Sequence, residues 1–325
     1  MSVQTDTWAL VLAGGEGTRL HSLTTRPGAR PVPKQFCSLR DGPSLLQEAL
    51  VRARAVSSIS HTMAVVGEAH RRWWEPMLWS LPADNIVVQT ENRGTALGIL
   101  LPLLHIMESA PSAHVVILPA DHHVRDEPVL ARSLNQAVEQ LRWCSDETVL
   151  LGLRPEECDP ELGYILPGLA DGHGTFRVNQ FVEKPSLTRA AELTAQGGLW
   201  NSFIVVSTAG ALLSLFRRRV PTILEDLTAA LRSDRYDRTG GFATAALYER
   251  LPTVDFSRQI LQGQEPYLRV LPTAQCGWSD LGTPQRVAAA LRQSSPPLFS
   301  APDDPLGPAY LSLAAQYAAV RAAHL

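Results

Sequence analysis

Cysteine is scarce in this 325-residue chain: Cys37, Cys144, Cys158 and Cys276 stand far apart and form no C-x-x-C pair. That spacing argues against a zinc site and a disulfide framework and leaves buried, reduced thiols as the expectation. Charge of either sign is in small surplus, with 29 basic against 32 acidic residues and a formal net charge of −3. No global field therefore draws the chain to nucleic acid or to an anionic membrane, and any phosphate must be met locally. Long apolar runs are absent too: no stretch approaches the roughly 20 apolar residues that span a bilayer. Nor does a basic-then-apolar leader open the chain. The expectation is a cytoplasmic protein with neither a nucleic-acid nor a membrane partner.

What the chain does have is apolar content, 45% of its residues, enough to bury a substantial core. From Trp8 to Leu153, short uniformly apolar runs (Trp8–Leu12, Met63–Val66, Ile86–Val88, His114–Leu118, Val149–Leu151) alternate with helix-like segments. Strands apolar on both faces are covered on both faces, which predicts a three-layer, Rossmann-like α/β fold around a mostly parallel mixed sheet. Helices are expected from near Ser44, over Arg71–Leu78, Thr95–Ser109 and Pro128–Gln140. Beyond Pro155 the pattern gives strands at Val178–Glu183 and Phe203–Val206, with helices over Leu187–Gln196, Ala211–Arg218 and Ile223–Leu231. A last helix is expected near Pro284, where Thr283 supplies a cap and the proline suits the first helical position. One domain over 1–293 follows, with a first part at about 8–155 and an α/β extension at about 156–293 that completes a cleft. Five prolines mark 294–308 as a linker, and 309–325 reads as a short amphipathic helix that docks on the body or mediates a homodimer.

The first strand runs into Ala13-Gly14-Gly15-Glu16-Gly17-Thr18-Arg19, with Lys34 following in Pro33-Lys34-Gln35-Phe36. Glycines at the carboxyl end of a first strand let backbone N–H groups approach an anion without Cβ interference. A Walker loop would need G-x-x-x-x-G-K-[ST], and no lysine stands at that spacing; a dinucleotide fingerprint would need glycine where Leu20 stands. What remains is a long loop that places Arg19 and Lys34 beside one polyphosphate, where two cations and a row of amides can neutralise a leaving pyrophosphate. Strand His114–Leu118 ends in Pro119-Ala120-Asp121-His122-His123, putting Asp121 at the sheet edge where ligands bind in open α/β folds. A carboxylate there suits Mg²⁺, whereas His122 and His123, adjacent on an extended segment, point to opposite faces and make a poor joint metal site.

Leu12-Ala-Gly-Gly-Glu-Gly-Thr-Arg-Leu20 with Pro33-Lys-Gln-Phe36 resembles the signature of the sugar-nucleotide pyrophosphorylases, and the Lys-Gln-Phe ending is most similar to that of mannose-1-phosphate guanylyltransferases. The resemblance implies transfer of a nucleotidyl group from a nucleoside triphosphate, GTP favoured, to a sugar-1-phosphate, mannose-1-phosphate favoured. It implies that Asp280, in Trp278-Ser279-Asp280-Leu281-Gly282, is a second Mg²⁺ carboxylate beside Asp121. In Phe181-Val182-Glu183-Lys184-Pro185 it implies that Lys184 binds the sugar phosphate and Glu183 the sugar hydroxyls. Gly163-Tyr164-Ile165 and Leu199-Trp200-Asn201-Ser202 are similar to the remaining sugar contacts. Arg93-Gly94-Thr95-Ala96-Leu97 resembles the segment near the base pocket, so Arg93 and Thr95 are expected at the nucleotide.

The chain departs from the family pattern at several places. His21-Ser22 stands where mannose-specific relatives carry Trp-Pro, Gly94 and Leu97 replace an asparagine and a proline, and Phe203 replaces a glycine, where an inward ring would crowd the sugar site. Little sequence follows Gln293, so no isomerase domain is expected. The alternatives are another nucleotide and sugar phosphate pair, or a silent regulatory subunit that binds a nucleotide sugar.

Overall fold

The computed structural model describes residues 6–25, 28–40, 42–237, 241–293 and 312–313. The expected linker and C-terminal helix lie outside the described residues, except for Ser312 and Leu313. The strands are β1 (Thr7–Ala13), β2 (Thr62–Gly67), β3 (Ile86–Gln89), β4 (His114–Pro119), β5 (His123–Val124), β6 (Thr148–Leu153), β7 (Tyr164–Ala170), β8 (Phe176–Val182), β9 (Leu199–Thr208), β10 (Leu268–Thr273) and β11 (Trp278–Ser279). Nine of them form one sheet in the order β3-β2-β1-β4-β9-β6-β10-β8-β7. Strands β3, β2, β1 and β4 run parallel, with Leu10 opposite both Met63 and Ile117. Strand β9 enters antiparallel between β4 and β6, and β10 is parallel to β6. The sheet is thus parallel from β3 to β4 and mixed beyond β4.

Adjacent apolar residues explain the three layers, because successive strand side chains point to opposite faces. Leu10, Val65 and Val205 pack into one core with Leu97, Leu103 and Phe256. Val11, Val66 and Val206 pack into a second core with Leu46, Leu134 and Tyr164. Each fully buried aliphatic or aromatic side chain contributes about 1.5–3 kcal/mol, so both faces of the first four strands are strongly fixed. The helices begin where the sequence offers caps. Ser44 and Gln47 form a reciprocal capping box before Leu45–Ala53. Asp126 caps Glu127–Gln140, and Thr208 caps Ala209–Arg219. The expected helix over Arg71–Leu78 instead splits into Arg71–Trp74 and a 3₁₀ turn at Glu75–Met77. Pro76 lacks the amide that an unbroken helix needs there.

A two-residue ribbon sits apart from the main sheet: β5 pairs antiparallel with β11, His123 opposite Ser279. This pairing brings Asp121 and Asp280, distant in sequence, to the same end of the sheet. Beside it lies a small third core of Leu20, Leu23, Cys37, Leu281 and Val287, which Leu313 joins. Leu313 also donates its N–H to the carbonyl of Ser38 at 2.9 Å, so this C-terminal residue docks on the body of its own chain.

Candidate active site

The glycine loop folds back over the end of β1 and is held there by one side chain. The Gln35 amide donates to the carbonyls of Ala13 and Gly15, both at 2.8 Å. Gly17 has φ 63, and a Cβ on it would come within 3.0 Å of the Lys34 nitrogen; only glycine joins both conditions. Thr18 opens a short 3₁₀ turn that ends at Leu20. Lys34 is thereby delivered, 5% exposed, to a position where its ammonium lies 3.0 Å from Asp121 Oδ2. The same ammonium donates to the backbone carbonyl of Asp280. Arg19 pairs with Glu161 at 3.0 Å, both side chains about half exposed.

Asp121 stands at the carboxyl end of β4 with its side chain 38% exposed. Burial opposes its charge, but Lys34 and then His122 outweigh that, and its pKa lies below the usual carboxylate value. His122 Nδ1 accepts from the indole N–H of Trp278 at 3.2 Å. Its Nε2 therefore carries the proton and faces Asp121 Oδ1 at 3.6 Å. Burial drives the His122 pKa down to about 4, against the pull of Asp121, so the ring is neutral at pH 7. His123 turns the other way, toward Glu48 at 3.5 Å, as the alternation of an extended segment dictates.

A cavity of about 410 Å³ opens between the glycine loop and Asp121, and Gly14, Gly15, Gln89, Thr95, Gly98 and Phe203 are among its walls. Gln89 is one of the wall residues that sequence reasoning missed. Its amide N–H donates to the Tyr248 hydroxyl, which in turn donates to the carbonyl of Leu97, both at 3.3 Å. That chain of donors fixes the amide, leaving Oε1 as an acceptor 3.0 Å from where a Cβ on Gly14 would stand. Gly94 has φ 85, and a Cβ there would meet the Val254 carbonyl oxygen at 2.4 Å, which is why asparagine is not found here. Thr95 lines the cavity and accepts from the Phe256 N–H at 2.8 Å. Arg93 departs from expectation: its guanidinium donates to the carbonyls of Tyr248 and Glu249, each at 2.7 Å, and it is not part of the cavity wall.

Outside the residues that line this cavity, Gly163, Glu183 and Asn201 converge on one another. A Cβ on Gly163 would lie 2.5 Å from Glu183 Oε2 and 3.3 Å from Asn201 Cβ. Asn201 donates its N–H to the carbonyl of Gly163 at 2.8 Å and its side-chain amide to Ser257 Oγ at 3.4 Å. Ser257 belongs to a π-helical segment, Phe256–Leu261, a geometry that concentrates at functional sites and has no simple sequence signature. Burial pushes the Glu183 carboxyl up to about 7, although Lys184 pulls the other way. The Lys184 ammonium stands 3.8 Å from Glu183 Oε1 and is 44% exposed. Tyr164, by contrast, is fully buried in the core on the opposite face. Its hydroxyl accepts from the Asp159 N–H at 2.9 Å, so it anchors the 154–163 loop and does not face Glu183 and Asn201 as Gly163 does.

Among the described residues, the non-glycine positions with positive φ are Lys184 at 49°, Phe203 at 60° and Leu281 at 47°. All three lie at this site, which is where backbone strain concentrates when the surrounding structure holds it for function.

For a divalent cation the two expected carboxylates are not equivalent. Asp121 fits, since its carboxylate borders the cavity. Asp280 is differently engaged: both of its oxygens accept from Arg286 Nη1, at 2.7 and 2.8 Å, and Oδ1 also accepts from the Gly282 N–H at 3.0 Å. Among the described residues no group of three or more His, Cys, Asp or Glu could hold a metal ion. A Mg²⁺ here would take most of its ligands from phosphate oxygens and water, the usual manner for this ion.

The chain is similar to known proteins in sequence and in fold. The chain is 27% identical over 278 residues to a putative mannose-1-phosphate guanylyltransferase of Vibrio cholerae serotype O1, covering 84% of this chain and 58% of the relative. It is 31% identical over 233 residues to a mannose-1-phosphate guanylyltransferase of Escherichia coli, 69% of this chain and 47% of the relative. The chain thus spans about half the length of the curated relatives it matches. A crystal structure described as mannose-1-phosphate geranyltransferase from Thermus thermophilus superposes with a TM-score of 0.74 at 27% identity, covering 89% of this chain and 80% of that one. The profile of the nucleotidyl transferase family matches residues 8–295, and the chain belongs to that family.

Proposed function

We propose that this protein joins a nucleoside triphosphate to a sugar-1-phosphate with release of pyrophosphate, and that the pair is GTP and mannose-1-phosphate, giving GDP-mannose. The observation that carries the reaction is the convergence of the glycine loop and Asp121 on one cavity at the carboxyl ends of β1 and β4, with the Lys34 ammonium paired to Asp121 at 3.0 Å. The relatives named as mannose-1-phosphate guanylyltransferases support the substrate pair. The fixed acceptor at Gln89 suits guanine, whose N1–H and 2-amino group are adjacent donors.

In this reading a sugar-phosphate oxygen attacks the α-phosphorus in line, the bond to the β-phosphate breaks, and pyrophosphate leaves toward Lys34 and Arg19. The nucleophile is already an anion, so no general base is required. The protein holds two mutually repelling phosphates in line and stabilises developing charge. Amides of Gly14 and Gly15 cradle the triphosphate, Lys184 meets the sugar phosphate, and Glu183 and Asn201 read the sugar hydroxyls. Arg19 must exchange Glu161 for phosphate oxygens, which costs little because the pair is exposed. Mg²⁺, when bound at Asp121 with the triphosphate, would supply charge neutralisation and phosphate orientation. This reading places the protein in the cytoplasm, without a nucleic-acid or membrane partner. Among the described residues no helix is long and apolar enough to cross a membrane.

Pyrophosphate release with Mg²⁺, assayed for GTP, UTP, dTTP and ATP against mannose-1-phosphate and glucose-1-phosphate, tests the proposal. Release with GTP and mannose-1-phosphate is expected; release with another pair would keep the reaction and overturn the pair. No release with any pair, together with binding of a nucleotide sugar, would replace catalysis by a regulatory role.

A further inference from the structure

Arg286 sits in the first turn of the helix Pro284–Gln293, where its N–H donates to Thr283 Oγ1 at 3.3 Å. A cation is out of place there, since the amino end of a helix carries partial positive charge and favours anions. Two buried carboxylates compensate. Arg286 Nη1 donates to both oxygens of Asp280, and Nη2 donates to Asp159 Oδ2. The Arg286 and Asp280 side chains are 13% and 11% exposed, so water does little to loosen the pair. Asp280 Oδ1 is further occupied by the Gly282 N–H, and Leu281, between them, is held at φ 47. The side chain of Asp280 borders a second, smaller cleft with Asp159, Trp200 and Arg286, while Asp121 borders the nucleotide cavity. What Asp280 presents toward Lys34 is its backbone carbonyl.

From this geometry we infer that the cation serving the Asp280 carboxylate is the Arg286 guanidinium and not a divalent metal. Resting on the nucleotidyl-transfer reading, the inference assigns the metal's protein contact to Asp121 alone and makes Asp280 and Arg286 positioning residues. Their ion pair clamps the 279–282 turn so that the Asp280 carbonyl, with the Asp121 carboxylate, aims the Lys34 ammonium. Asp159 links the clamp to the 154–163 loop, which also holds Arg19 through Glu161. The two phosphate-facing cations are thereby supported from one loop.

Metal binding separates this arrangement from a two-carboxylate site without relying on turnover. Mn²⁺ serves as the probe, with free ion measured by electron paramagnetic resonance in the presence of saturating GTP, and folding checked by circular dichroism. Asp121→Asn is expected to weaken Mn²⁺ binding by about 10- to 100-fold, whereas Asp280→Asn changes it by less than about threefold and raises KM for GTP through a misplaced Lys34. Equal losses of Mn²⁺ affinity in the two variants would overturn the inference. Arg286→Gln gives an independent reading, valid even if Asp280→Asn fails to fold. Freed from its guanidinium, Asp280 becomes available, and Mn²⁺ affinity of the nucleotide-free protein is expected to rise about tenfold. Arg286→Lys, which keeps a cation on Asp280, is expected to give most of that gain back, and an unchanged affinity in Arg286→Gln would also overturn the inference. Failure of the underlying reading looks different: wild-type protein would neither bind GTP nor release pyrophosphate, while the Arg286→Gln gain in nucleotide-free Mn²⁺ binding would persist.

Discussion

The ammonium of Lys34 lies 3.0 Å from the carboxylate of Asp121, and this buried contact joins the glycine loop to the end of β4. Each residue holds the other's charge at the place where the proposed reaction brings phosphate oxygens. Lys34 is 5% exposed and also donates to the carbonyl of Asp280, so its position is set from two sides before substrate enters. Preorganised charge of this kind stabilises a transition state without reorganisation at the moment of reaction.

Lys34→Gln is accordingly expected to lower kcat by about 100- to 1000-fold in the pyrophosphate-release assay, the range for loss of one preorganised donor. Lys34→Arg is not expected to restore it, because a planar fork does not fit a buried slot shaped for a point charge. Turnover within a few-fold of wild type in either variant would remove Lys34 from the mechanism.

Gly94→Asn tests whether the base-side loop tolerates the residue found in the family pattern. The added Cβ would stand 2.4 Å from the Val254 carbonyl oxygen at a backbone φ of 85. The 253–255 segment has to move, and with it the Ala96 N–H bond to that same carbonyl, now 3.0 Å. A loss of about 2–3 kcal/mol in urea unfolding and weaker GTP binding are expected. Unchanged stability would show that the loop accommodates a side chain after all.

Much of this was legible in the sequence, and the gaps have physical causes. The parallel strands announced themselves because burial on both faces makes each one uniformly apolar, and Thr95–Ser109 matches its expected span. Strands β7 and β10 escaped because Pro167 and Gly168, or Arg269 and Pro272, interrupt them. Arg269 is tolerated there since Glu147 and Asp171 neutralise it. Tyr164 misleads through its neighbour, for Gly163 faces the site and the next residue of a strand faces away. Ser257 and Gln89 carry no motif, since their roles depend on contacts across the fold. Arg286 did leave a signal, a cation in the first turn of a helix, whose meaning needed the partner carboxylates.

Phe203→Gly would remove a non-glycine residue from φ 60, relieving about 1–2 kcal/mol of backbone strain while losing the ring contact to Phe256 at 6.0 Å. Because Phe203 forms part of the cavity wall, the kinetic effect should exceed the effect on stability. The ratio of kcat/KM for an N-acetylated sugar-1-phosphate over mannose-1-phosphate is expected to rise about tenfold, the usual scale for a reshaped pocket. An unchanged ratio would place Phe203 outside the sugar's reach.

Glu183 makes stability and activity respond to pH in opposite directions. Burial raises its carboxyl from the ordinary 4.5 to about 7, so between these values the folded protein holds a proton that the unfolded chain has lost. Stability therefore falls as pH rises through this window, by on the order of 3 kcal/mol in total from this one group. In the proposed reaction activity needs the ionised form, to accept hydrogen bonds from sugar hydroxyls, so kcat/KM for the sugar phosphate should fall as pH drops below about 7. By pH 6 the ionised fraction is roughly a tenth, and a loss near tenfold is expected. The sugar phosphate titrates near the same pH, so the informative quantity is the ratio of wild type to Glu183→Gln. That ratio should decline toward acid, while Glu183→Gln should unfold with a weaker dependence on pH between 5 and 7. A ratio flat across pH 5.5 to 8 would mean that Glu183 does not accept from substrate in its ionised form.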